Sequence, residues 1–159
     1  MRIGGRRLGA AGAVLLLVVL LALAAITLVR WNAAGDPRAI TPPAGATAQP
    51  GNERVVIDRA GIIARILRND RGPATVRSYA MPPGSPWLRA RQVVATQLDH
   101  WEQLGDCADN PEGAIVECAW REPTRWWPRT VMLTMLRLSP TGGAADRPTF
   151  LVIGSAPGD

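Results

Sequence analysis

Residues 10–29 form twenty consecutive positions without a charge. As a helix they reach about 30 Å, the thickness of a bilayer's hydrocarbon layer. A helix of that length on a soluble core keeps one polar side. This one is apolar all round, which suits a hydrocarbon solvent. Arg2, Arg6 and Arg7 precede the run and Arg30 follows it. The excess of positive charge ahead of the run places residues 1–9 in the cytoplasm and everything after residue 30 outside it. Trp31 lies just past the far end, where an amphipathic ring suits the headgroup layer. A second reading is a cleaved signal peptide, with Ala22-Leu23-Ala24 as a small-x-small cleavage pattern. The residues around that pattern, through Ile26, Leu28 and Val29, are more apolar than a cleavage region usually is. Both readings put the remainder of the chain outside the cytoplasm.

The start of the chain also resembles a prepilin or minor pseudopilin. A basic leader ends in Gly9 and a long apolar run follows. Val14 stands where such proteins usually carry a glutamate. The likeness covers about 30 residues and implies a component of a secretion or pilus-like assembly, processed after Gly9. Pilin stems continue as one long helix, whereas Gly35-Asp36-Pro37 would break this one.

The formal charge of +5 therefore needs care. Four of the eighteen basic residues flank the apolar run, and the fourteen that follow meet thirteen carboxylates. So even a balance argues against nucleic acid as a partner. Lysine is absent and Arg, Ala, Gly and Pro are abundant, which fits the coding bias of a GC-rich bacterial genome.

Residues 31–51 are rich in Gly, Ala, Pro and Thr, which predicts a flexible linker. Residues 52–154 remain for one small extracytoplasmic domain, with residues 155–159 as a loose tail. In residues 52–69, Val55, Val56, Ile62, Ile63, Ile66 and Leu67 fall on one broad helical stripe behind a cap at Asn52. Their β-branched character would also suit two short strands. A short strand is expected at 75–79. Residues 85–104 read as a helix, with Ser85 as N-cap, Pro86 in the first turn and Gly105 past the end. Trp87, Ala90, Val94, Leu98, Trp101 and Leu104 form its apolar face. Residues 115–121 alternate, with Val116, Cys118 and Trp120 on one face. Residues 129–138 are apolar on both faces, as a central strand would be. Residues 149–153 give a last short strand after a connection at Thr141-Gly142-Gly143. The fold class is thus α+β, an antiparallel sheet packed by one or two helices, with the helices expected on one face.

Cys107 and Cys118 are the only cysteines, and an even count outside the cytoplasm predicts a disulfide. Without C-x-x-C spacing, a redox pair is not indicated. Two cysteines and one histidine fall short of a closed zinc site, so no metal and no cofactor are expected. His100 reads as a surface or boundary residue; its sharper reading is a general base. Asp99 and Glu102 would share a helix face if residues 85–104 were helical, a spacing that could pair two carboxylates. The acidic stretch Asp106 to Glu112 lacks the glycine and spacing of a calcium loop. Ser78, Ser85 and Ser139 have no nucleophile setting, and no G-x-S-x-G occurs.

Residues 121–129 combine Arg121, Arg125, Trp126, Trp127 and Arg129 in a strand connection. Adjacent tryptophans on an extended chain point to opposite sides, so one is expected packed and the other exposed or stacked with an arginine. Tryptophan and arginine are the types enriched at binding hot spots. The sequence therefore leads us to expect a non-catalytic interaction domain, held to the bilayer through residues 10–30, with an envelope or membrane protein as partner. A small envelope enzyme is the remaining class; it would need a cleft around His100 or the Asp99 and Glu102 carboxylates.

Overall fold

A computed structural model describes residues 4–48, 53–107, 113–138 and 148–159. The Asn52 cap, most of the acidic 106–112 stretch, Ser139 and the Thr141-Gly142-Gly143 connection lie outside the described residues. The chain divides into two compact units, Met1–Ala34 and Gly35–Asp159.

The first unit is dominated by helix α1, Gly4–Gly35. Within it Gly12–Gly35 is long and apolar enough to cross a membrane. The Thr27 hydroxyl donates to the carbonyl of Leu23 at 2.7 Å, so its one exposed alcohol is satisfied inside the helix. The helix runs past Arg30 and stops where Pro37 forbids another turn.

The second unit is an antiparallel six-stranded sheet with a helix on each face. Its strands are β1 (Thr47–Ala48), β2 (Thr75–Met81), β3 (Glu102–Leu104), β4 (Ile115–Arg121), β5 (Thr130–Arg137) and β6 (Thr149–Ala156). Their order across the sheet is β1-β2-β6-β5-β4-β3. Helix α2, Arg54–Ile66, covers one face. Helix α3, Trp87–Gln97, covers the other.

The alternation along β6 explains why two covers are needed. Leu151 and Ile153 join Val131, Leu133 and Met135 under Trp87, Ala90 and Val94 of α3. Phe150 and Val152 join Leu136 under Val56 and Ile63 of α2. Strands apolar on both sides require a layer on both sides, so the expectation of helices on a single face is corrected. At Gly154 side chains of α2 and its C-cap fill the space a side chain would take. A Cβ there would stand 2.5 Å from Ile63 Cγ2 and 2.6 Å from Leu67 Cδ1.

Three further expectations change. Residues 35–48 are not a free tether: Ile40 is buried in the α3-side core, and Gln97 clasps Thr41 through its N–H at 2.8 Å and its carbonyl at 2.9 Å. Thr47 and Ala48 pair with Ala80 and Tyr79. The helix expected over 85–104 ends at Gln97. His100 then takes φ 65°, and the chain turns into β3 against β4. Ser85 does not cap α3; its hydroxyl donates to the Pro82 carbonyl at 2.6 Å. Finally, residues 155–159 are no loose tail. Ser155 and Ala156 complete β6, and Asn69 Nδ2 donates to the Pro157 carbonyl at 2.7 Å.

Cys107 and Cys118 are joined as a disulfide, their Cα atoms 5.2 Å apart. It ties the segment just after β3 to the middle of β4, and Arg91 of α3 donates to the Cys107 carbonyl.

Candidate functional site

The connection between β4 and β5 gathers the candidate residues. Its base is closed by a reciprocal clamp. Arg129 Nε and Nη2 donate to the two carboxylate oxygens of Glu122 at 2.8 and 2.7 Å. The backbone adds a bond from the Glu122 N–H to the Arg129 carbonyl at 2.9 Å. Such a two-point, charge-assisted contact fixes direction as well as distance. The Arg129 hydrogen bonds hold the Glu122 carboxyl below its ordinary value, against the opposing effect of partial burial, and the charges of Arg129 and Arg38 add to the lowering. Glu122 in turn holds the Arg129 guanidinium further toward its charged form. Arg129 also lies over the Trp101 ring, 5.8 Å from its centroid.

At the tip, Thr124 Oγ1 donates to the Trp126 carbonyl at 3.1 Å and accepts from the Trp126 N–H at 3.3 Å. Trp126 is 61% exposed, and the Arg125 guanidinium stacks 5.7 Å from its centroid. Trp127 is half-buried and adopts φ 53°. That left-handed residue breaks the two-residue alternation of an extended chain. The two indoles therefore sit as neighbours, with centroids 6.2 Å apart and planes inclined at 47°, rather than on opposite sides. Pro128 is buried beside them and Arg121 is exposed at the end of β4. The structure thus brings Arg125, Trp126 and Trp127 together at the tip and places Arg129 at the base. Glu122 is the member that sequence reasoning missed; a carboxylate seven residues before an arginine across a tight connection was the available signal.

The other candidates do not assemble. His100 is exposed and contacts Asp99 at 3.0 Å. Asp99 lies in the turn after α3 and Glu102 opens β3, so the helical spacing that would have paired their carboxylates does not exist.

A separate concavity of about 120 Å³ opens on the α3 side of the sheet beyond the helix. Thr75, Arg77 and Tyr79 of β2 and Ile153 and Ser155 of β6 form its floor. Residues 37–40 cross above it.

Comparison of the chain with protein-family models, with curated proteins and with solved structures found no match.

Proposed function

We propose that this chain is a single-pass, membrane-anchored interaction module of the bacterial envelope. In this reading α1 is a retained anchor with residues 1–9 in the cytoplasm. The Gly35–Asp159 unit stands outside and binds a partner protein rather than catalysing a reaction. The arginines ahead of the apolar run support the orientation. An engaged disulfide suits an oxidising compartment.

One observation carries the binding role: Trp126, 61% exposed, is presented on a connection locked at its base by the Glu122–Arg129 clamp. A large ring held in place before contact loses little entropy on docking. Stacked with Arg125, it offers both apolar area and directional donors, the pairing typical of hot spots.

The test is photo-cross-linking in native membranes from position 123, an exposed site in the same connection, with Trp126 intact and with Trp126→Ala. A reproducible protein partner, lost in the variant while its melting temperature is unchanged, is the expected result. A chain recovered alone would remove the reading, as would a loss of capture that tracks a loss of stability.

A further inference from the structure

The concavity beside residues 37–40 has the makings of a ligand site. Ser155 is 3% exposed, and its hydroxyl oxygen is buried without a hydrogen-bond partner among the described residues. A buried hydroxyl left unpaired costs free energy comparable to a lost hydrogen bond, which is why such groups almost always have a partner. Ser155 is one of the residues lining the cavity, so a polar group bound there is a partner within reach of a small rotation of its hydroxyl. At about 120 Å³ the space holds more than the single water that needs only roughly 10–15 Å³.

The lining fixes the chemistry. Thr75 and Arg77 add donors next to Ser155, because Thr75 pairs with Ser155 and Arg77 with Ile153 across adjacent strands, pointing to the same face. Among the described residues no carboxylate lines the cavity. Arg38 is partly committed elsewhere, donating to the Gln97 carbonyl at 3.3 Å. Arg77 carries no ion pair among the described residues and is exposed at the rim. One available guanidinium matches a single negative charge better than the charge of about −1.5 to −2 on a phosphate monoester. The segment crossing above is mostly apolar, through Pro37, Ala39 and Ile40, and Ile153 adds an apolar patch to the floor beside Arg77.

We infer that this cavity binds a small carboxylate, with its charged end on Arg77, Ser155 and Thr75 and a short apolar stem against Ile40 and Ile153. A free short-chain acid and the C-terminus of a peptide share this chemistry. Among the described residues none of the 121–129 connection lines the cavity, so Trp126→Ala should leave its binding unchanged.

The experiment titrates the full chain in detergent, at constant ionic strength, with butyrate, butyramide, inorganic phosphate and a tri-alanine peptide bearing a free or an amidated C-terminus. Melting temperature and calorimetry are the readouts. Butyrate or the free-acid peptide should bind saturably while the two amides do not. The tighter of the two acids identifies the source. Ser155→Ala and Arg77→Met should each weaken binding about tenfold or more, as expected for a hydrogen bond to a charged group. Arg77 is exposed, so its variant keeps the test valid if the other fails to fold. Absence of saturable binding by either acid, or an equal response to chloride at the same ionic strength, would overturn the inference. Tighter binding of phosphate than of either acid would overturn the carboxylate assignment.

Discussion

At the scale of single residues, three backbone and charge details have measurable weight. His100 holds φ 65° without being a glycine. The left-handed region costs an ordinary residue roughly 1–2 kcal/mol, partly offset by the entropy that glycine adds to the unfolded chain. His100→Gly should therefore stabilise the protein by about 0.5 kcal/mol, read from urea unfolding. Gly154 has the opposite sensitivity. Gly154→Ala drives a methyl into Ile63 of α2 and Leu67 at its C-cap and should cost about 1–3 kcal/mol by the same measurement. Glu122 sets a pH dependence. Its folded carboxyl is depressed from 4.5, so the unfolded state takes up the proton first on acidification. The clamp's stabilisation is complete above about 4.5 and fades as pH falls through the lowered folded value. Glu122→Gln should be less stable than the parent at pH 7 and should lose less between about pH 4.5 and pH 2. A parallel loss in both proteins would assign the acid limb to other groups. The aromatic pair at 126 and 127 was legible as composition, but its side-by-side geometry was not. It depends on one left-handed tryptophan, and nothing in the type of residue announces that.

At the scale of elements, strands read more clearly than ends. β4 could be placed at 115–121 because its period of two is uninterrupted: Val116, Cys118 and Trp120 are buried, while Ile115, Glu117 and Arg121 are exposed. The α3 boundary was misread because Leu98, Trp101 and Leu104 keep three-residue spacing. That spacing satisfies a helical stripe, and it equally satisfies a turn followed by a short strand. Gly105, with φ 70°, ends β3 rather than a helix. The 31–51 segment was misread for a related reason. Its composition is that of a tether, and the exceptions are single residues: Ile40 and Pro43 are buried, and Thr41 meets Gln97 fifty-six positions away. In α2 the buried stripe is Val56 and Ile63, continued by Leu67 at the C-cap, narrower than the one expected, and Val55 and Ile66 remain exposed. The disulfide belongs to this scale because it staples one element to the next. Its cysteines are separated by 11 positions. Opening it should cost roughly 3 kcal/mol in the chain-entropy model. Denaturant midpoints with and without reductant, compared with those of the Cys107→Ala, Cys118→Ala double variant, provide the check.

At the scale of the whole molecule, the Gly35–Asp159 unit contains its own two-sided core and its own staple. Produced without α1 in an oxidising compartment, it should fold and melt as one cooperative transition, followed by far-ultraviolet circular dichroism. Non-cooperative melting would show that the unit needs α1. The strand order has one more consequence. β6, last in chain order, sits at the centre of the sheet, paired with β2 on one side and β5 on the other. Thr75 of β2 waits for Ser155, eighty positions downstream. Such distant pairings make folding slow, since a long loop must close before any contact rewards it. Until β6 arrives, both its neighbours expose an unpaired edge, the template on which strands from other chains can add. If this unit is exported as proposed, it crosses the bilayer with no stable sheet and acquires one only when residues 149–156 emerge. A chain interrupted just short of that point would be prone to aggregate and easily cleared by proteases, which on the proposed export would make the last strand a checkpoint for its completion.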